Sequence, residues 1–536
     1  MNKQLKGIIG LGAVLVVLGG GLAALKLTDN SDKDSSSSSE FTEESTTRVY
    51  GEGIVLVEDS TAQPITPDQI PPDDNDWHMH PAQGTVKTVD ITNENGQFSV
   101  IQVGYDETKT DEAGNPVMNY TIKGYEDIRM DMSLVGTLVN NINGVTAASV
   151  IEENCKDLSK FGLDAPAITA EMTYEDGVVR KYFIGIKNPA SPGQTYFKID
   201  GNDTVYTVSD SKLANYYKNP DDFIDCQMLE KSADDSDPIV RSLVIERDDI
   251  DYNIVIEYGK NSDDANAGGS SAKHELIEPV HAYLAVERSE SVTNGMFGFT
   301  ADTVYAVHCT DDDIKNAGLD DPYCRVTMKC DGADEPYVML FSKVYTQEDD
   351  ETDRRTNVMF EGGNVIYSVS ESLVPWINVM PIDIASRLIL TSQVWNIDSM
   401  VYETADGRRE EFKITPKDES MVRTKGDSDD FDVTRNGKLI DSERYRRLYS
   451  FLVQSNGEEF ALDAEIPSGK PMVSIEYNDC YLNEKHTVEF YDYSAMKTLI
   501  VFDGSPKFYG VKSYAQTLVD NIARLDTNED FVTTWK

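Results

Sequence analysis

The chain has 536 residues, of which 94 are Asp or Glu and 48 are Lys or Arg, giving a formal net charge of −46. A body so acidic repels polyphosphate backbones and anionic lipid surfaces, which excludes nucleic-acid binding as its role. The acidity would concentrate cations, but it reads first as a device for solubility in an exported protein.

In chain order, Lys3 and Lys6 precede an uncharged run from Gly7 to Leu25. As a helix it would span roughly 28 Å, close to the thickness of a bilayer core. Positive charge before the run and Asp29, Asp32 and Asp34 after it place the N-terminus in the cytoplasm and the body outside, on a single-pass signal-anchor. A cleaved signal peptide is the rival reading, and the sequence leaves cleavage open. Residues 1–28 are thus expected to be a cytoplasmic tip and transmembrane anchor. Residues 29–82 follow as a Ser-, Pro- and acid-rich segment that lacks the apolar content to build a core, and are expected to form a disordered stalk. At its end, His78 and His80 beside Asp73, Asp74 and Asp76 form a weak candidate metal site, with nothing nearby to preorganise it.

The body repeats. Gly162-Leu163-Asp164-Ala165-Pro166 recurs as Gly318-Leu319-Asp320-Asp321-Pro322. Alternating apolar residues follow each copy, Ile168 to Tyr174 and Cys324 to Cys330, and each run ends on Asp-Gly. Period-two alternation closed by a turn dipeptide predicts a half-buried strand entering a hairpin. A degenerate third copy begins at Pro471, with Val473, Ile475 and Tyr477 before Asn478-Asp479. Each copy closes on a similar strand, around Tyr206, Tyr367 and Tyr509, and Ser209, Ser370 and Ser513 are placed to cap the short helices that follow. Upstream of each Pro lie two strands. In the first and third copies these lead into amphipathic helices marked by Leu134, Leu138, Val139 and Ile142, and by Tyr445, Leu448, Tyr449 and Leu452. The units span 83–234, 236–391 and 392–536. The fold class is α+β and β-rich: three tandem repeats of antiparallel sheet plus short helices, preceded by one N-terminal transmembrane helix.

Repetition also acts as an internal control. A residue shared by the copies belongs to the scaffold, and one found in a single copy does not. Asp164 and Asp320 repeat, so they are expected to bond their own backbone and fix the turn. Ser209-Asp210-Ser211-Lys212 has the Ser-x-x-Lys spacing of penicillin-binding enzymes, but the second copy has Leu373 at the lysine position, which argues for a cap and against a nucleophile. Cys324 and Cys330 share a strand face roughly 20 Å apart, too far to bond each other, and read as core residues. The acidic stretches Asp106–Asn115 and Asp311–Asp313 lack calcium-loop spacing and read as solvated turns. No Gly-x-Ser-x-Gly, P-loop, dinucleotide fingerprint or His-Glu-x-x-His occurs, so no catalytic residue and no cofactor is assigned.

The opening span, the acidic Ser-rich stalk, the GLDxP turns, the Asp-Gly hairpins and the Val-Tyr-x-Val closures together resemble the uncharacterised family known as domain of unknown function 4340. The third copy departs from the pattern, with Ser468-Gly469-Lys470 before Pro471. The resemblance implies a membrane-anchored extracytoplasmic protein encoded near ABC-type permeases and gliding-motility-like auxiliary subunits, with no established catalytic residues. The expectation is a non-enzymatic binding or scaffold protein that is an accessory to an ABC-type transport system. A cell-surface hydrolase with an unrecognised site, or a surface adhesion or spacer protein, is the alternative.

Overall fold

The computed structural model describes residues 48–50, 55–57, 85–110, 116–143, 145–232, 236–267, 272–347, 350–455, 457–527 and 529–535. The Gly7–Leu25 run and the His78/His80 pair lie outside them. No helix among the described residues is long and apolar enough to cross a membrane. Within the stretch expected to be a stalk, two short strands do form, β1 (Arg48–Tyr50) and β2 (Val55–Val57). They pair antiparallel, and β2 runs parallel to β6 (Thr146–Ala147).

Three large antiparallel sheets make up the rest. The first contains β3 (Val86–Asn93), β4 (Gly96–Thr110), β5 (Pro116–Ile122), β7 (Ser149–Glu152), β8 (Ile168–Tyr174), β9 (Val179–Lys187), β10 (Gln194–Ile199) and β11 (Val205–Ser209). The second contains β12 (Val240–Arg247), β13 (Ile254–Tyr258), β14 (His274–Glu278), β15 (Ala282–Tyr283), β16 (Thr303–Val307), β17 (Cys324–Cys330), β18 (Tyr337–Phe341), β19 (Tyr345–Gln347), β20 (Asp350–Phe360) and β21 (Val365–Ser370). The third contains β22 (Ile397–Thr404), β23 (Arg409–Pro416), β24 (Phe431–Arg435), β25 (Lys438–Ile440), β26 (Gly457–Phe460), β27 (Val473–Asp479), β28 (Glu484–Asp492), β29 (Lys497–Phe502) and β30 (Ser505–Val511).

One strand order underlies all three sheets. It runs β5-β4-β3-β8-β9-β10-β11-β7 in the first, β14-β13-β12-β17-β18-β20-β21-β16 in the second and β24-β23-β22-β27-β28-β29-β30-β26 in the third. The second adds β15 outside β14, and the third adds β25 outside β24. Even the irregularities coincide. Val86 pairs with Tyr174, Val240 with Cys330 and Ile397 with Asp479, and after each pair the register slips by one residue. Such a bulge leaves an extra residue unpaired, here Lys87, Arg241 or Asp398, and restores the apolar face at Val89, Leu243 and Met400. The third copy, degenerate in sequence, is therefore intact in topology.

Each sheet buries one face under helices. In the first, α1 (Met132–Asn143) drives Val135, Leu138, Val139 and Ile142 onto Val89, Ile91, Val100 and Met172. The short α2 (Asp210–Leu213) follows β11. In the second unit, α3 (Val286–Thr293) takes the place of α1; α4 (Asp311–Asn316) and α5 (Pro381–Ile384) are shorter. The third unit is covered by α6 (Ser442–Leu452) and α7 (Lys512–Ala523). Cores of the second and third units merge into one cluster running from Met228 to Leu525. The first unit is joined to the second by main-chain bonds from Met228 N to Phe299 O (2.7 Å) and from Ala301 N to Cys226 O (2.9 Å). Asp127 completes that junction, accepting from His308 Nε2 (3.2 Å) and Asn364 Nδ2 (2.5 Å).

Several sequence expectations need correction. Asn478-Asp479 is not a turn; β27 continues through it to pair Asp479 with Glu484, and the chain reverses at Asn483, which takes positive φ. Asp311–Asp313 opens α4 rather than a loop. Thr310 and Asp313 form a reciprocal capping box, and acidic side chains suit a helix N-terminus. Ser209 and Ser370 stand at N-cap positions, yet neither hydroxyl caps the backbone. Each bonds the hydroxyl two residues on, at Ser211 (2.8 Å) and Ser372 (3.0 Å). Ser513 lies inside the first turn of α7, whose N-cap is Val511.

Candidate functional site

The repeated motif is a structural device. In the first copy Leu163 N bonds Leu158 O (3.1 Å) and Gly162 N bonds Ser159 O (3.2 Å). In the second, Leu319 N bonds Ile314 O (2.9 Å) and Gly318 N bonds Lys315 O (3.0 Å). This is the paired 6→1 and 5→2 pattern that ends a helical turn on a left-handed glycine, and both glycines have positive φ. Leu163 and Leu319 then plug small apolar clusters on the sheet face away from the helices. Asp164 and Asp320 are exposed and hydrogen-bond nothing among the described residues, so glycine geometry fixes the turn, not the expected aspartate bond. Pro166, Pro322 and Pro471 each stand two residues before the strand that follows, β8, β17 and β27. Tyr206 and Tyr367 face the helix-covered core, but Tyr509 lies on the opposite face, against Tyr493 (ring centroids 4.7 Å). Phe508 holds the inward position, because one residue of shift along a strand reverses every side chain.

Scaffold being thus accounted for, the residues that differ between copies become informative. The buried face of α1 is Val135, Leu138, Val139 and Ile142; that of α6 includes Tyr445, Leu448, Tyr449 and Leu452. At the same spacing α3 presents Ser289, Val292 and Thr293, with Met296 just beyond it. Two large or branched apolar positions have become hydroxyls. The strand opposite changes too: Tyr258 pairs with His274 where Gln102 pairs with Tyr120 in the first sheet and Ile414 with Val433 in the third.

The consequence is a cleft of about 860 Å³ between α3 and the outer strands of the second sheet, lined by His274, Ser289, Glu290, Thr293, Asn294, Tyr258, Lys273, Lys231, Asp237 and Phe297 among others. His274 is 8 % exposed, and its Nε2 lies 2.8 Å from the Val240 carbonyl. A carbonyl only accepts, so Nε2 carries the proton. Burial holds the imidazole's pKa below its ordinary value, and the ring is neutral near pH 7. Nδ1 is then a lone-pair acceptor with no partner among the described residues. The Ser289 hydroxyl likewise has none, while Thr293 Oγ1 donates to the Ser289 carbonyl (3.1 Å). At the rim Lys273 is paired with Asp263 (3.2 Å), and Arg241 lies 4.8 Å from the Tyr258 ring centroid and is held bidentately by Asp331.

A second cleft, of about 700 Å³, opens beside Gly318 and includes Asp321, Ser342, Tyr345, Asn357 and Ser368. Its buried polar atoms satisfy one another. Tyr345 OH bonds Asn357 Oδ1 (3.0 Å) and Ser368 Oγ (2.9 Å), and Asn357 Nδ2 donates to Ala317 O (3.1 Å). The first sheet has a comparable bond, Tyr196 OH to Asn188 Oδ1 (2.9 Å), so this network is part of the scaffold. The α3 cleft, with polar atoms left free, is the better candidate.

Sequence reasoning missed that cleft because it assigned no helix to 286–293. The signal was present as the spacing of Ser289, Val292, Thr293 and Met296, but it was muted by two hydroxyls on the face that should have been apolar. Of the six cysteines, all are free. Cys324 and Cys330 are buried in β17, and burial pushes the Cys324 thiol up to about 12, away from reactivity. No trio of His, Cys, Asp or Glu able to hold a metal ion occurs among the described residues.

The fold defines a protein of tandem antiparallel sheets, each covered on one face by short helices. Residues 121–287 match the family described as Domain of unknown function (DUF4340). That match begins in β5 and ends in α3. It therefore takes in the first GLDxP turn and the Tyr206 closure, crosses the junction between units, and includes His274. Neither a curated protein nor a solved structure matches the chain.

Proposed function

We propose that the chain is a membrane-tethered, extracytoplasmic binding scaffold without enzymatic activity, serving as an accessory component of an ABC-type transport system. The observation that carries this reading is the threefold use of one sheet topology, down to the position of its bulge. A block copied for its shape suits presentation of surfaces to partners better than it suits a single reaction centre. The uncharged Gly7–Leu25 run between Lys6 and Lys26 supplies the tether, and Lys3 and Lys6 before it, against the acidic segment from Asp29 onward, favour the N-terminus inside and the body outside. The transport association comes from the family resemblance. The test is crosslinking in intact cells followed by affinity purification from solubilised membranes. Recovery of a permease or its auxiliary subunit is the expected result. Recovery of neither, or a chain found wholly in the cytosolic fraction, sinks the proposal.

A cell-surface hydrolase is the second reading, favoured by one observation: a neutral histidine and an unpartnered serine hydroxyl line the same cleft. No hydrogen bond joins them, and nucleophilic catalysis requires that they meet. Covalent labelling of Ser289 by a fluorophosphonate would establish it, and absence of labelling on the folded chain would remove it.

A further inference from the structure

We infer that the cleft beneath α3 is a binding site for a short, hydroxyl-rich saccharide. The inference does not depend on the transport-accessory reading, since a chain with no permease partner would carry the same cleft.

An apolar ligand would cover Ser289 Oγ and His274 Nδ1 without pairing them, and each buried polar atom left unpaired costs about 1–3 kcal/mol. A metal ion would find one imidazole nitrogen and no clustered carboxylate or thiolate. An anion would meet Glu290 and Asp237 in the same lining, while of the two lining lysines Lys273 is already engaged by Asp263 and Lys231 is not free. What these groups can recognise is a neutral ligand rich in O–H donors. His274 Nδ1 accepts only, the Glu290 carboxylate accepts, and Ser289 Oγ both donates and accepts. Phe297, Val286 and Ile239 give the lining an apolar share, as the C–H faces of a pyranose require. The volume, about 860 Å³, falls within the usual span of small-molecule sites, about 300–1,000 Å³. The internal control strengthens the case: Ser289, Thr293 and His274 depart together from the apolar or aromatic residues of the first and third units, as a site would require and a scaffold would not.

The test uses the purified full-length chain, titrated with maltotriose and with tri-N-acetylchitotriose and followed by calorimetry and by side-chain ¹⁵N resonances of histidine. Three variants accompany it, S289V and T293V, which install the first unit's residues, and H274Y, which installs its tyrosine. The expected result is saturable binding of at least one saccharide, a shift of the His274 Nδ1 resonance, and at least about tenfold weaker binding in S289V and H274Y with melting temperature preserved. If H274Y fails to fold, S289V and T293V decide alone, because their side chains are already tolerated at Val135 and Val139. No binding of either saccharide at about 10 mM, binding undiminished in the folded variants, or preferential binding of a capped trialanine peptide overturns the inference.

Discussion

Ser289 in α3 stands where Val135 stands in α1, both buried against a sheet and both one turn ahead of an apolar neighbour, Val292 or Leu138. One block has been kept closed and the other opened. The two sites should respond to substitution in opposite senses. V135S places a hydroxyl and a void in a packed core and should cost roughly 2–3 kcal/mol. S289V fills part of an existing cleft and should be neutral or stabilising by up to about 1 kcal/mol. Urea denaturation reads both as shifts in midpoint at constant slope. An equal loss in the two variants would show that Ser289 is packed as tightly as Val135.

The strands on either side of that contrast were legible because period-two alternation is a direct imprint of a half-buried sheet. Ile168–Tyr174 and Cys324–Cys330 are strands with the bounds the pattern suggests. Topology was not legible. The strand that joins the far edge of each sheet, β7, β16 or β26, precedes in sequence the strands it lies beside, and nothing local announces that pairing. The slip at Tyr509 has a related origin. A closing strand with apolar residues on both faces carries no phase, so in sequence Tyr509 aligns with Tyr206 although Phe508 is the spatial counterpart. The cleft escaped for the reason a functional site often does: its residues break the local rule, here an apolar helix face, that the eye uses to find the element.

Gly162 and Gly318 make the same turn in different company. A Cβ on Gly162, at φ +62°, would come within 2.7 Å of Ile186 Cγ2, whereas one on Gly318, at φ +72°, meets Ser342 Cβ at 3.5 Å. Both alanine variants bear left-handed backbone strain of about 1 kcal/mol, and only G162A adds overpacking. G162A should therefore lose about 2–4 kcal/mol and G318A about 1, measured as chemical-denaturation midpoints. Equal losses would mean that Ile186 moves aside freely.

Lys507 sits in the bulge of β30, nearly buried, with its ammonium 4.7 Å from the Phe502 ring centroid and 6.0 Å from that of Phe508. Its charged neighbours are Asp503, on the preceding turn, and Glu275 of the second unit. Burial outweighs both carboxylates and pushes the amine down to about 8. An unfolded chain holds the proton up to its ordinary pKa near 10.5, so between the two values the unfolded state binds more protons and stability rises with pH. Below about pH 8 the full cost of burying the charge is present, on the order of 3 kcal/mol. The denaturation midpoint should accordingly climb between pH 8 and pH 10 for the native chain relative to K507M, and K507M should be the more stable of the two at pH 7. A pH profile unchanged by K507M would show that the ammonium is hydrated.

Asp479 takes the place that Tyr174 and Cys330 hold in the other sheets, opposite the first residue of the central strand, and it is fully buried. One oxygen accepts from Tyr481 N (3.0 Å) and Leu482 N (3.1 Å), fixing the reversal into β28; the other has no partner among the described residues. The useful half of the carboxylate is therefore an acceptor that an amide can reproduce. D479A strands two backbone N–H groups in the interior and should cost about 2–4 kcal/mol. D479N keeps that acceptor in a side chain of the same shape, so it should fall within about 1 kcal/mol of the native chain. Denaturation midpoints near pH 7 separate the cases. A loss in D479N as large as in D479A would mean that the second oxygen also holds the turn, through a donor that an amide nitrogen cannot pair.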